Sequence, residues 1–591
     1  MTSVGINKAM LLLRGKGVSK GVVIGRAIIM DDTDLEIPHY YIDKSEVEAE
    51  CDRLERAIKQ VHSELVQLQR ELPQDAPKEL APILNVHSLL VSDPMLAQEC
   101  KVLIQENAYN AEWALSAQGH QLVQQFEAME DAYLRERALD IRQVIELIIN
   151  ELQGGGNKPM ELVTKLSQSV ASIVVARDIM PADMMRMRAA HFAGFVTDIG
   201  GPTSHTAIVA RSMGVPAVVA AINARTLIRD HDLLIIDGET GGIVVNPSAE
   251  ILRYYQEKEE RLIKDKSILW EERNLAAISL DEQKVTVLGN IEYLEEAAEV
   301  LASGGQGIGL YRTEFLFMDN KEALSSEEEQ YEAYAYVLRQ MKGMPVTIRT
   351  LDLGADKNIK DEASSAINPA LGLRAVRYCL ARPDMFMTQL KALLRAAMHG
   401  HLRILIPMIT HLHELASVKK MLKQAVQELQ AEGKVFSKDY ELGVMIEIPA
   451  LAYVIDLVLD EVDFISIGTN DLTQYMLAVD RIDSEVTHLY DPLHPAVLRM
   501  IAHIIKSTNE AGKSVSVCGE MAGDSLYTRL LLGLGLKEFS MGPKHIPEIK
   551  HIIRQSHIAM LTEKVNKSML NKSIIEIDNA GFIVPPNDSV H

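Results

Sequence analysis

Apolar residues recur along this chain with spacings that change from one region to the next. From Gly21 to Met30, Val22, Val23, Ile24, Ala27, Ile28 and Ile29 form a short apolar run with a glycine inside it, which predicts a buried strand with no local partner. Leu54, Ile58, Val61, Leu65, Leu68 and Leu72 then follow in alternating steps of four and three, the period of one face of a long helix. Ser45 with Glu48 offers a capping box at its start. Pro73, Pro77 and Pro82 break it, and further helical patterns run over 83–91, 94–105, 111–127 and 133–152. Four or five such helices make a bundle, which by itself does no more than pack.

After Gly154-Gly155-Gly156, short β-branched runs return at 172–175, 192–197, 217–220, 233–237 and 243–245. The lone first strand finds its partners here, so the bundle is inserted between two parts of one α/β domain. A charged amphipathic stretch, 247–274, with Tyr254, Tyr255, Leu262, Ile268 and Trp270, is expected to be a helical linker. Beyond it, strand candidates at 285–290, 307–311, 346–350, 402–407, 442–447, 463–468, 514–518 and 538–541 alternate with helical patterns, which predicts a (β/α)8 barrel. The expected fold is α/β multidomain: an α/β domain over 1–40 and 153–246, the helical insert over 41–152, a linker over 247–275, the barrel over 276–575 and a tail over 576–591.

Composition narrows the partners. The 591 residues carry 60 basic and 82 acidic side chains, a formal charge of −22, which opposes nucleic acid and anionic membranes and favours a basic protein partner. No apolar run reaches membrane-spanning length, and the 9–13 run is too short for a signal peptide. Cys51, Cys100, Cys379 and Cys518 are far apart, without paired metal spacing, as in a reducing compartment. A cytoplasmic protein is expected.

The chemistry-bearing stretch is Gly200 to Val219, Gly-Gly-Pro-Thr-Ser-His-Thr-Ala-Ile-Val-Ala-Arg-Ser-Met-Gly-Val-Pro-Ala-Val-Val. Thr203 or Ser204 can cap a helix that Gly214 and Pro216 stop, which puts His205 in the first turn. The positive end of a helix disfavours an imidazolium and welcomes a phosphoryl dianion. In a barrel, residues at the C-terminal strand ends form the site. Arg312 and Arg349 stand there, in Gly-Leu-Tyr-Arg-Thr-Glu and Thr-Ile-Arg-Thr-Leu-Asp-Leu-Gly, and two guanidinium forks suit a phosphate, although each alone also suits a surface ion pair. Glu447 in Met-Ile-Glu-Ile-Pro and Asp471 in Gly-Thr-Asn-Asp-Leu-Thr suit Mg²⁺, or else pair with the arginines. Asn470 and Arg481 can hold a carboxylate or phosphate. Cys518, in Val-Ser-Val-Cys-Gly-Glu, is either inert packing or, at the barrel mouth, an acid for an enolate carbon.

The His205 stretch resembles the phosphohistidine signature shared by enzyme I of the phosphoenolpyruvate-dependent phosphotransferase system, pyruvate phosphate dikinase and phosphoenolpyruvate synthase. With the barrel motifs in matching order from Gly21 to about Met541, the chain is most similar to the enzyme I family. The resemblance implies that His205 carries the phosphoryl group and Cys518 donates a proton. It also implies that Arg312, Arg349, Asn470, Asp471 and Arg481 bind phosphoenolpyruvate, and that Glu447 and Asp471 hold Mg²⁺. It makes 1–40 with 153–246 a phosphohistidine domain, and the insert the docking site of the histidine-containing phosphocarrier HPr. It further implies a homodimer through the barrel. Pro202 stands where some members carry arginine. An ATP-using dikinase or synthase is the nearest alternative, against which stands the lack of a P-loop-type glycine-rich loop; a non-catalytic scaffold for the phosphocarrier is the other.

Overall fold

The computed structural model describes residues 10–30, 37–70, 80–128, 132–154, 171–179, 183–184, 192–201, 204–319, 326–353, 369–481, 483, 486–570, 576–577, 581 and 583–584. Its contacts divide the chain into two compact units, Met1–Asp265 and Lys266–His591.

The first unit is built on an eight-stranded sheet. Its strands are β1 (Leu11–Arg14), β2 (Lys16–Ser19), β3 (Val22–Ile29), β4 (Ser172–Ala176), β5 (Gly194–Thr197), β6 (Ala217–Val219), β7 (Leu233–Asp237) and β8 (Gly242–Val245), in the spatial order β1-β8-β7-β3-β4-β5-β6-β2. The strand at 22–29 does find its partners far along the chain: β3 runs antiparallel to β7 and parallel to β4. Strands β1 and β2 were not expected. Each is four residues long and partly exposed, too short for an alternating pattern to show, and each gains its place by pairing with β8 or β6, more than 190 residues away.

Between β3 and β4 lie five helices, α1 (Val47–Arg70), α2 (Leu80–Val91), α3 (Pro94–Asn107), α4 (Ala111–Glu127) and α5 (Ala132–Leu152). Their apolar faces form a separate core in which Leu54, Leu84, Cys100, Ile104, Leu115 and Ile148 are fully or almost fully buried. Arg53 on α1 ties the bundle across to α4, its Nη1 donating to Glu112 Oε1 over 2.9 Å. Helix α1 starts at Val47, after a turn that contains Ser45 and in which the Asp43 N–H donates to Glu46. Pro82 does not break the pattern as expected. It sits in the first turn of α2, where a backbone N–H has no intrahelical partner to lose. Pro73 and Pro77, like Gly155 and Gly156, lie outside the described residues.

The Ala249–Glu272 helix fully buries none of its residues, and its Ile251, Leu252 and Tyr255 pack partly buried against Val22, Ile235 and Val244. The second unit is a closed parallel barrel of β9 (Thr286–Ile291), β10 (Ile308–Arg312), β11 (Val346–Arg349), β12 (Leu402–Ile406), β13 (Tyr440–Ile446), β14 (Phe464–Ile467), β15 (Ser514–Val517) and β16 (Glu538–Met541). Side chains alternate along each strand. Ile348, Val444, Ile446, Ile465, Ile467, Val515, Val517 and Phe539 join the large core shared with the surrounding helices, whereas Leu310, Leu405, Met445, Phe464 and Cys518 form a separate cluster inside the barrel. The Ile558–Leu570 helix, beyond the last recognisable motif, packs on the Ser525–Gly533 helix: a Cβ on Gly533 would meet Val565 Cγ2 at 2.5 Å and the Leu561 carbonyl oxygen at 3.0 Å, so glycine allows this close approach. Among the described residues no helix is long and apolar enough to cross a membrane.

The bundle has its own core, so its stability is separable from the barrel's. Replacing the fully buried Leu54 by alanine is expected to destabilise the bundle by about 2–5 kcal/mol. Calorimetry should show one transition moved down and the barrel transition unmoved; coincident shifts of both would contradict it.

Candidate functional site at the barrel mouth

The last inward positions of the barrel strands converge on one mouth. Arg312 ends β10 and Arg349 ends β11, and the two are direct neighbours in the strand register. Glu447 lies just beyond β13, and Cys518 just beyond β15. Asn470 and Asp471 belong to the first turn of the Thr469–Leu477 helix that follows β14, with Arg481 shortly after it. The structure therefore brings together all seven candidates of the second half of the chain.

Arg349 is the most enclosed cation. Its Nη2 binds Glu314 and its Nη1 lies 3.1 Å from Asp352 Oδ2. Burial disfavours its charge, but Glu314, Asp352 and Glu447 outweigh this and hold it protonated. Asp352 also accepts from Arg374, whose Nη2 lies 3.2 Å from each carboxylate oxygen and whose Nη1 donates to Tyr475 at 3.2 Å. Arg312 donates to Glu292 over 2.7 Å, and burial pushes the Glu292 carboxyl up while Arg312 opposes this. Arg374, Asp352, Glu314 and Glu292 were not singled out from the sequence. Asp352 falls within the Arg349 motif, three residues on, and Glu314 within the Arg312 motif, two residues on; both were legible as carboxylates flanking a buried guanidinium. Arg374 follows a long interruption after β11 and carries no strand-end signal.

Several polar atoms here are buried and have no hydrogen-bond partner among the described residues: Arg349 Nε, Arg481 Nη1, Glu314 Oε2 and Glu447 Oε2. Orphaned atoms of both signs in one enclosure suit a ligand that supplies anionic oxygens and a cation. Glu447 Oε1 accepts from the Met408 N–H at 2.6 Å, which leaves Oε2 for such a cation. Burial, then the Asp471 and Asp352 carboxylates, push the Glu447 carboxyl up to about 8, against the pull of Arg349 and Arg374. Asp471 Oδ1 lies 3.9 Å from both Arg374 Nη1 and Arg481 Nη2, beyond hydrogen-bond reach. The two carboxylates are thus not consumed by the arginines, and they fit a divalent metal completed by substrate oxygens. Among the described residues no group of three or more His, Cys, Asp and Glu is arranged to hold a metal unaided.

Asn470 is engaged by Glu520 at both ends of its amide, Nδ2 donating to Glu520 Oε1 at 3.0 Å and Oδ1 accepting from the Glu520 N–H at 2.9 Å. Cys518 is buried against the apolar interior. Burial pushes its thiol up, and the Ser466 hydroxyl and the Arg349 charge draw it part of the way back. It stays protonated at neutral pH, as an acid must.

In the first unit, His205 opens the His205–Met213 helix, and Ser204 is its cap, accepting from the Ala207 N–H at 3.3 Å. Gly214 ends it in the left-handed conformation at φ 65°. Thr206 Oγ1 donates to the Ile179 carbonyl at 2.9 Å, which anchors the helix start to the segment after β4. Thr203, Pro202 and the His205 ring lie outside what the structure describes.

Glu447 makes stability depend on pH. Its folded value lies above the ordinary 4.5, so the contribution is full below that value and is lost as pH rises toward about 8. With divalent metals chelated, unfolding free energy is expected to fall over this interval by at most about 1.4 kcal/mol per pH unit from this group. Glu447→Gln should flatten the slope in urea titrations; an equal slope in the variant would refute the assignment.

Residues 267–558 match the family model of the PEP-binding domain of PEP-utilising enzymes, residues 14–137 that of their N-terminal domain and residues 169–241 that of their mobile domain. The phosphoenolpyruvate-protein phosphotransferase of Cupriavidus necator is 46% identical over 562 residues, 94% of this chain and 96% of the relative. That of Priestia megaterium is 41% identical over 544 residues, 92% of this chain and 94% of the relative. The solution structure of an Enzyme I protein is similar at 33% identity and a TM-score of 0.36, over 42% of this chain and 99% of that one. With sequence identity sustained over almost its whole length, the chain belongs to the phosphoenolpyruvate-protein phosphotransferase family of PEP-utilising enzymes.

Proposed function

We propose that this chain takes the phosphoryl group of phosphoenolpyruvate onto His205, releases pyruvate, and passes the group to a histidine of the phosphocarrier HPr. The observation that carries this reading is the barrel mouth, where cations and orphaned carboxylate oxygens surround a buried protonated thiol. Arg312, Arg349, Arg374 and Arg481 hold the phosphate and carboxylate of the substrate, and Asn470 lines the same mouth. Glu447 and Asp471 would hold Mg²⁺, which when bound supplies positive charge against the phosphate and enolate oxygens. As the P–O bond breaks and the P–N bond to His205 forms, the electron pair stays on the enolate, and Cys518 gives its proton to the enolate carbon. Positioning by fixed cations does most of the work.

The helical insert over 41–152 is the proposed HPr dock, and the acidic net charge suits a basic carrier. The phosphohistidine domain, 1–40 with 153–246, turns about the 247–275 linker so that His205 serves first the barrel over 276–575 and then the insert. The same reading includes a homodimer through the barrel domain. In this reading the protein acts in the cytoplasm. The names of the relatives over matching length favour this reading over an ATP-using dikinase or synthase, and over a scaffold.

Incubation with radiolabelled phosphoenolpyruvate, Mg²⁺ and purified HPr should label both proteins, with pyruvate detected by lactate dehydrogenase coupling. His205→Ala should abolish labelling of both, and a variant that still became labelled would refute the assignment. Chelation of divalent metals should stop labelling, and ATP alone should give none. Cys518→Ser should slow pyruvate formation about 10²-fold or more while phosphoenolpyruvate still binds, the loss typical of a missing general acid.

A further inference from the structure

A chain of hydroxyls inside the barrel leads to Cys518 and has no part in the steps above. Ser466 and Ser516 occupy paired positions on β14 and β15 and are 0% and 5% exposed. Ser516 Oγ donates to Ser466 Oγ at 3.2 Å, and Ser466 Oγ donates to Cys518 Sγ at 3.2 Å. A second chain holds the backbone of the same cysteine: Ser540 Oγ donates to Asn290 Oδ1 at 2.5 Å, and Asn290 Nδ2 donates to the Cys518 carbonyl at 3.0 Å. Leu310, Leu405, Met445 and Phe464 pack with Cys518 from within the barrel. The Ile467 carbonyl accepts from both the Cys518 N–H at 3.1 Å and the Cys518 Sγ at 3.5 Å, and the two side-chain relays draw on four different strands.

The direction of the hydroxyl chain matters. A serine carries one hydrogen, and because Ser516 fills an acceptor position on Ser466, the Ser466 hydrogen is left for the sulfur. Each link polarises the next in an enclosure of low dielectric. A neutral thiol is a weak acceptor, whereas a thiolate is a strong one, so this bond strengthens at the moment the thiol loses its proton. A pair of serines placed only for packing would have no reason to aim at the sulfur.

We propose that Ser466 is a positioning residue for Cys518, with Ser516 holding it in that role, so that the thiol meets one face of the enolate carbon and the thiolate left behind is stabilised. This rests on the reading of the barrel mouth as the phosphoenolpyruvate site. In the step concerned the S–H bond breaks and a C–H bond forms at the methylene carbon. The enolate electron pair makes the new bond, the S–H pair stays on sulfur facing the Ser466 hydroxyl, and water restores the proton after pyruvate leaves.

The test is the stereochemistry of protonation. Turnover of (Z)-3-fluorophosphoenolpyruvate in D2O, with the product trapped at once by lactate dehydrogenase, records which face receives the deuteron. The wild-type protein is expected to give one configuration at the fluorinated carbon. Ser466→Ala should give nearly equal amounts of both and lower kcat for phosphoenolpyruvate about tenfold, the loss of one charge-assisted hydrogen bond, with KM unchanged. Ser516→Ala should move both readouts the same way by less. Retained configuration in Ser466→Ala, with His205 still labelled, overturns the proposal. Should Ser466→Ala fail to label His205, Ser516→Ala decides in its place: mixed configuration supports the proposal and retained configuration overturns it. A wild-type protein that makes no pyruvate would instead overturn the reading of the site beneath it.

Discussion

The alternation of side chains along a closed parallel barrel is the constraint on which the site depends. Eight strands running the same way end at one rim, and each contributes its last inward residue to a shared enclosure. Asn290, Arg312, Arg349, Glu447 and Cys518 are such residues or their immediate successors, and residues far apart in the chain become neighbours without any loop having to reach. The outward residues of the same strands, Ile348, Ile446, Ile467 and Val517, lie in the core beneath the helices. A shift of one residue in β11 or β13 would put Arg349 or Glu447 into that core and Ile348 or Ile446 into the mouth.

That enclosure is a place where charge is costly, and its composition answers the cost. Arg349 is satisfied on two sides by Glu314 and Asp352, and Asp352 is shared with Arg374, so the buried charges compensate one another in a connected set. The compensation is incomplete at a few atoms. A buried polar atom with no partner costs about 1–3 kcal/mol, and several lie here within one cavity mouth. A phosphate, a carboxylate and a divalent cation are the groups that would satisfy them.

The first unit solves a different problem of connection. Strands β3 and β4 are parallel neighbours, so the chain leaving β3 has to return to the other end of the sheet before β4 can begin. The five-helix bundle occupies that crossover. Because α1 to α5 bury most of their apolar faces against one another, the insertion keeps its own core, while Leu80 at the start of α2 packs with Ile28, Val174 and Phe195 in the core beside the sheet. The His205 helix is bounded locally, by Ser204 at its start and Gly214 at its end.

Local chemistry was legible in the sequence wherever a feature depends on near neighbours. The Leu54 to Leu65 spacing marks α1, Ser204 and Gly214 bound the His205 helix, and Arg312, Arg349 and Glu447 announce themselves by closing short apolar runs. Features that depend on distant pairing were not legible. Strands β1 and β2 exist because β8 and β6 offer them edges, Pro82 is tolerated because it falls in a first turn, and Arg374 reaches the mouth only because Asp352 and Tyr475 hold it there. Ser466 looks like any small residue in an apolar strand until Cys518, on the next strand, is seen to lie against its hydroxyl. The period of the side chains thus determined which residues face inward, while the closure of the barrel decided which of them touch, since hydrogen bonds and ion pairs act over a few ångströms of space and carry no record of separation along the chain.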